Sequence, residues 1–480
     1  MPSIPREDRE TARNRTAETL AGYYSSAAVR ARISQYCGGG SEEPHSFTAL
    51  GMAGYGGRRR LREPEGAPVP TLLRNWTALL DDGADVCRSL ADSGGTLLQV
   101  DVDYTNPEEP AEPYRRPEAC FAALEAVHEV ISDALGEYGV RPLVLMTGRG
   151  YHYMARAPLA SPLHAALLEI ARPAPALAEQ REGGTRVRAL AGQAHDGAGR
   201  LLEHLAHEVI RRLRGRAAVP VSLADVPLPG GGPFVCLDLT AYADPVARRY
   251  SRCAFSSNQK ASMQDLAPER PFVVCLPRGR TSLASLLEAR EDVRRAARLA
   301  SLEHARIPDA RGGVVWVEEY RRSDLAAFHR EFDRGPQMEP GAWPWTYEAL
   351  DLRSLPGCVA VPFEFPNPSL LRPACLRTVA LALWGLGWHP RSIAGLVRSR
   401  YEKDHGWGTL WQRYAPAARA DYYVRLFCGA VADGIEDPRS LTCATQRQRG
   451  LCERNRCGHD WHALFDSLGE RLSPKAGRAS

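Results

Sequence analysis

No apolar run in this 480-residue chain approaches the roughly 18–20 residues that cross a bilayer as a helix, so no membrane-spanning protein is expected. The start, Met1-Pro-Ser-Ile-Pro-Arg-Glu-Asp8, lacks the charged-then-apolar layout of a secretory signal. None of the twelve cysteines sits in a C-x-x-C pair, the mark of a zinc ribbon. Without an extracellular signal, the clustered ones are expected to bind metal rather than pair, in a reducing cytoplasm. There is no internal repeat, and no low-complexity tract apart from the tail after about residue 472. The net charge of +4 is too small to name a partner. What is present is ordinary: 44% hydrophobic and 25% charged residues, with chain enough for about two or more domains.

The stretch Thr96-Leu-Leu-Gln-Val-Asp-Val-Asp-Tyr104 stands out against that background. An apolar, strand-forming run ends in Asp101 and Asp103. Side chains two apart on a strand leave the same face, so the two carboxylates repel unless a divalent cation lies between them. A second strand-like run, Arg141-Pro-Leu-Val-Leu-Met146, opens into Thr147-Gly-Arg-Gly-Tyr-His152. Glycines at 148 and 150 allow close backbone approach to an anion, and Arg149 and His152 bring donors for phosphate oxygens. A third run, Phe234-Val-Cys-Leu-Asp238, ends in one carboxylate and leads into Tyr242, Arg248, Arg249, Arg252, Ser256, Ser257 and Lys260. Acids for metal and cations for a triphosphate, all at strand ends, are what phosphoryl transfer needs.

With these motifs in this order, the chain resembles the archaeo-eukaryotic primase superfamily. The residues that carry the resemblance are Val100-Asp-Val-Asp103, Thr147-Gly-Arg-Gly-Tyr-His152, Leu237-Asp238 and Arg252…Ser256…Lys260, spanning roughly 90–265. The resemblance implies an α+β primase–polymerase catalytic domain, mixed sheets flanked by helices, over about 1–340 with core motifs 95–265. It implies a DNA primase or DNA polymerase that makes or extends primers on single-stranded DNA from NTPs or dNTPs, with a helicase or other replication protein as partner. Asp101, Asp103 and Asp238 would hold two Mg²⁺ or Mn²⁺ ions, and Arg149, His152, Arg252, Ser256 and Lys260 would bind the triphosphate. Tyr104 is a candidate to face the sugar. A metal-dependent nuclease or phosphohydrolase, and a non-catalytic nucleic-acid binder that keeps the fold, are the competing classes.

Along the chain, 1–35 reads as polar helix, and Ser46 to Gly57 as a glycine-rich loop beside basic Arg58–Arg62, a channel lining or a surface loop. Thr71 to Leu90 and Pro117 to Tyr138 have helical apolar spacing, and 162–215 is mostly helical. His195, His204 and His207 there read as surface or packing residues. Pro271–Pro277 reads as a strand, Ser282–Ala305 as a charged helix, and Gly312–Glu318 as another strand.

A connector at 341–368, within a proline- and tryptophan-rich zone from about 335, separates a smaller all-α region, 369–480. Helices are expected there over Leu371–Trp384, Arg391–Tyr401 and Ala420–Val431. From Arg372 onward 17 Lys/Arg face 10 Asp/Glu, an excess that suits a phosphate backbone or a solvated surface. Five cysteines lie there. This part is similar to the iron–sulfur domain of primase large subunits, in which a Pro-x-Cys opens a helix. On that resemblance Cys375, Cys443, Cys452 and Cys457 would hold a 4Fe–4S cluster, or Zn²⁺ with His459 and His462 as substitute ligands. Cys428 reads as a helical core residue.

Overall fold

The computed structural model describes residues 6–39, 52–55, 69–71, 75–173, 181–182, 185–186, 189–226, 230–364, 370, 372–402, 415–452, 457–459 and 461–472. Its centre is a mixed six-stranded sheet. The strands are β1 (Gly95–Thr105), β2 (Leu143–Met146), β3 (Gly150–Pro158), β4 (Val221–Leu223), β5 (Phe234–Asp238) and β6 (Leu276–Pro277), in the spatial order β6-β2-β3-β1-β5-β4. All neighbours run antiparallel except β4 and β5. The long β1 is central because it is apolar on both faces until the carboxylates: Leu97, Leu98, Val100 and Val102 are all buried.

Helix α1 (Pro117–Glu137) and helix α2 (Ala189–Leu213) pack on the sheet through apolar stripes. In α1 the buried residues Phe121, Leu124, Val127, Ile131 and Leu135 recur at helical spacing. A second sheet, ordered Tyr250–Arg252, Asp85–Ser89, Met52–Tyr55 and Val69–Thr71, lies across the cleft from the first. The N-terminal helices Arg6–Tyr24 and Ala27–Tyr36 form where polar helix is expected.

Several local expectations give way. Thr71 to Leu90 is not one helix: it holds a strand end at Thr71, a short helix Trp76–Asp81 and, after the Asp82-Gly83 turn, the buried strand Asp85–Ser89. Gly312–Glu318 is no strand but the start of the helix Val314–Arg322, whose buried Trp316, Val317 and Tyr320 lie on one helical face. Ser282–Ala305 divides into α3 (Leu283–Arg290) and Val293–Leu302, broken where Asp292 caps the second helix. Of the glycine-rich loop, Met52–Tyr55 is a strand, while Arg58–Arg62 and the tail after 472 lie outside the described residues.

The cysteine-containing C-terminal region is all-α, with helices Gly357–Glu364, Pro373–Gly385, α5 (Pro390–Tyr401), α6 (Pro416–Ala432), Cys443–Gln448 and Trp461–Leu472. Helix α6 packs on α4 (Asp324–Arg334) and reaches the 3-10 turn Thr240–Ala243, directly after Asp238. His195, His204 and His207 are buried packing residues of α2, and the His207 ring bonds Asp433 across this interface at 2.7 Å. No helix among the described residues is long and apolar enough to cross a membrane.

Candidate functional site: a cleft of carboxylates and cations

Sheet register puts the acids in a row. In an antiparallel pair, directly opposed residues share a face. Asp101 on β1 faces His152 on β3 and Asp238 on β5, so three chemistry-bearing side chains from three strands lie side by side. Asp103, two residues on, shares that face and opposes Gly150 and Cys236. A Cβ on Gly150 would meet the Val102 carbonyl oxygen at 1.7 Å, which is why glycine stands there.

Asp101, Asp103 and His152 line a cleft of about 270 Å³, with Gln99, Thr147, Gly148, Arg149, Asn258 and Lys260 among its other walls and Arg252 reaching in from the second sheet; Asp238 stands beside this lining, opposite Asp101 on β5. Arg149 binds Asp103 through Nη2 at 2.5 Å and Nε at 2.7 Å. His152 Nε2 stands 3.3 Å from Asp101 Oδ1. Burial raises the Asp101 pKa despite His152, and the neighbouring Asp103 and Asp238 add to the rise. Burial opposes the His152 imidazolium, but the Asp101 carboxylate outweighs it and holds that ring above its ordinary value. Both members of the pair therefore hold protons more tightly than usual, Asp101 chiefly because it is buried and His152 because carboxylates face it.

Arg252 is tied to the fully buried Asp85 at 3.2 Å, so part of its charge is already matched. Lys260 has no ion-pair partner among the described residues, and burial lowers its pKa. It is one of three lysines in a chain of 61 basic residues, a mobile point charge where arginine is otherwise the rule.

Two expected positions lie elsewhere. Ser256 is fully buried behind the cleft; its Oγ accepts from the Val86 N–H at 2.7 Å and donates to the Ser257 carbonyl at 3.0 Å. Tyr104 is buried and donates its hydroxyl to Glu112 at 3.1 Å, outside the cleft wall. Tyr114 and Asn258 line the cleft instead. Asn258 stands two residues from Ser256 in the same polar run; nothing in the sequence marks Tyr114. Asp225 also escaped the sequence. It follows β4 beside the end of β5, after Ala224 at a strained φ of 59°. Burial raises its pKa, offset in part by Arg149, while Asp238 and Asp103 raise it further.

Among the described residues, no group of three or more Asp, Glu, His or Cys side chains converges as a ready-made metal cage. The donor chemistry nonetheless fits a hard divalent cation. Asp101, Asp103 and Asp238 offer only oxygen, and Asp101 Oδ1 is buried without a well-formed hydrogen bond.

The cysteines are arranged differently from the expected quartet. Cys375 lies fully buried in its helix, where burial pushes its thiol up to about 12 and Arg372 is the neighbouring charge. Cys428 is a buried core residue of α6, as its apolar context implies. Cys452, Cys457 and Cys443 instead neighbour Cys358 at the start of Gly357–Glu364. Burial, followed by those three thiols, pushes Cys358 up to about 12.

No family model matches the chain, and no curated protein does. A solved structure described as the polymerase domain from Mycobacterium tuberculosis Ligase D in complex with DNA is similar over 60% of this chain and 90% of that one. Identity is 13% and the TM-score 0.33, a slight likeness of fold that bears no weight for function.

Proposed function

We propose that this protein is a template-dependent nucleotidyltransferase, a DNA primase or primase–polymerase acting on single-stranded DNA with NTPs or dNTPs. The observation that supports it most is the row His152–Asp101–Asp238 across three strands, with Asp103, Arg149, Arg252 and Lys260 in the same cleft. Three carboxylates whose charges are not fully matched, facing cations on the opposite wall, suit a substrate that carries both metal and polyphosphate. Asp101, Asp103 and Asp238 would hold Mg²⁺ or Mn²⁺. Such ions, when bound, activate a hydroxyl and neutralise a leaving pyrophosphate. Lys260 and Arg252 would grip the phosphate chain. Arg149 would turn from Asp103 toward phosphate, and His152 would donate from the wall. A homopolymer template assay with labelled nucleotides and Mg²⁺ or Mn²⁺ tests this. Extension is expected; degradation would mean a nuclease, and retention alone a binding protein.

The C-terminal thiols belong to the same reading. Cys358, Cys443, Cys452 and Cys457 would hold an iron–sulfur cluster or a zinc ion, because those three thiols act electrostatically on Cys358 while Cys375 senses Arg372; the four form no ready-made cage and would draw together on binding. Thiolates of this number suit either centre. Protein purified without oxygen should contain iron and acid-labile sulfide, or one zinc. Cys358→Ser should remove that metal, and Cys375→Ser should keep it. The reverse pattern would restore Cys375 as a ligand, and metal-free wild-type protein would leave only packed thiols.

A further inference from the structure

Beneath the Thr147–His152 loop lies a layer of side chains that the cleft residues above do not account for. Arg290, the last residue of α3, is fully buried. Its Nη2 donates to the Gly148 carbonyl at 3.1 Å, and its guanidinium lies over the Phe121 ring at 5.2 Å. Its Nε and Nη1 have no hydrogen-bond partner. Glu291, the carboxylate that acts on it among the described residues, is already paired with Arg270. A buried guanidinium without a counter-ion is costly unless an anion arrives to compensate it.

Directly in front of it, Gly148 is pinched: a Cβ there would meet Asn258 Nδ2 at 2.7 Å and Tyr114 Oη at 2.8 Å. Tyr114 is 4% exposed, packs on Ala261 beside Lys260, and lines the cleft. Its hydroxyl makes no hydrogen bond among the described residues, and its neighbours are Arg149, Arg252 and Arg290 as well as Asp103. A hydroxyl with no partner of its own, on the wall of a cleft that Arg149 and Arg252 also line, is set to donate to an anion.

We propose that Tyr114 and Arg290 form a second, buried layer of the anion site, so that the cleft reads a polyphosphate chain and not one phosphate group. Tyr114 donates its hydroxyl to a phosphate oxygen. Arg290 is a positioning residue: it holds the Gly148 peptide and places uncompensated charge behind it. This rests on the nucleotidyltransferase reading and sharpens it, because it assigns Tyr114 to the phosphates and away from the sugar.

The test is equilibrium titration of the full-length protein with ATP, dATP, inorganic tripolyphosphate and adenosine, in Mg²⁺ and without template. Tyr114→Phe should weaken ATP, dATP and tripolyphosphate alike by about tenfold, the loss of one hydrogen bond to a charged group. The ATP/dATP ratio should not move. Arg290→Met should weaken the same three probes while keeping or raising the Tm, since an unpaired buried charge is removed. Arg290→Lys, which keeps the charge, should weaken them less. A changed ATP/dATP ratio with unaltered tripolyphosphate binding would put the hydroxyl on the sugar and overturn the proposal. So would unchanged affinities in Tyr114→Phe and Arg290→Met, or an Arg290→Met variant that loses Tm but binds normally. Wild-type protein that binds no phosphorylated probe would overturn the nucleotide reading itself, and this proposal with it.

Discussion

The cleft and the helical interface behind it use the same side chains to opposite ends. Behind the sheet, α2, α4 and α6 bury a web of charge. Arg200 binds Asp196 at 3.0 Å and Asp333 at 2.8 Å, Arg425 lies between Asp196 and Glu203, and His329 reaches Glu203 at 3.2 Å. Burial opposes the Glu203 charge, yet His329 and Arg425 hold that carboxyl down at about 2; Arg200 and Arg425 do the same for Asp196. Burial keeps His329 neutral, down at about 4, accepting from the Tyr320 hydroxyl at Nδ1 and donating from Nε2 to Glu203. The carboxylates of Asp101 in the cleft and Asp225 beside the end of β5 are pushed up instead. Glu203 and Asp196 are held low by cations the protein itself supplies, whereas Asp101 meets one imidazole and two further carboxylates and sits high.

The largest effect that would break the comparison is in the cleft. On the proposed reading, Asp101→Ala or Asp103→Ala should reduce nucleotide incorporation by about a thousandfold or more, because divalent ions would lose oxygen ligands. For Asp101→Ala the Tm should stay level or rise, since crowded like charges are relieved, whereas Asp103→Ala also takes the partner from Arg149 and should lower it. Near-normal incorporation in a folded double variant would remove the acids from the chemistry.

The helical web should behave the other way. Glu203→Ala or Asp196→Ala leaves a buried arginine short of its partner and should cost about 3–5 kcal/mol of stability. Activity per folded molecule should hold. The pH dependence shares this origin. His195, His204 and His329 are held near 4 against an ordinary 6.5, so the unfolded chain takes up protons first as pH falls. Their share of stability is complete above about 6.5 and declines toward 4. The depressed carboxyls of Asp196 and Glu203 add a further loss toward 2. Thermal melts flat from pH 7 to 4 would contradict this.

The sequence made the strand-borne motifs plain because a period of two and an abrupt change from apolar to acidic residues are local signals. Asp101, Asp103, His152, Asp238 and Lys260 meet in or beside one cleft as the motifs imply. Signals that depend on distant packing were misread. Val314-Val-Trp-Val317 is β-branched and reads as a strand, yet its buried residues follow a helical face set by neighbouring helices. Pro373-Ala-Cys375 and Pro356-Gly-Cys358 are equivalent as text, and only packing puts Cys358 beside Cys452. Tyr104 adjoins the acids in sequence, while Tyr114, from the short helix Glu112–Arg115, adjoins them in space.

The smallest expected effect sharpens the same contrast. Mg²⁺ or Mn²⁺ should raise the Tm of the wild type, by about 2.7 kcal/mol of added stability at a hundredfold excess over Kd. Asp101→Asn with Asp103→Asn should abolish the rise, and Glu203→Ala should retain it. A rise that survives in the Asp101/Asp103 variant would place the ion elsewhere.

Helix α6 carries one further consequence, for how the protein is made. Arg419 on α6 clasps Asp244 at 3.2 Å, and Asp244 closes the turn that follows Asp238. The two partners are 175 residues apart in the chain. At ribosomal rates of roughly 5–20 residues per second, the stretch between them takes roughly 10–35 s to emerge. Throughout that interval Arg249, from the same segment, holds the turn through Asp244 and the Thr240 carbonyl, and Arg419 is added last. A nascent chain halted before α6 would carry every cleft motif while the packing of α6 on the Thr240–Ala243 turn is still to come.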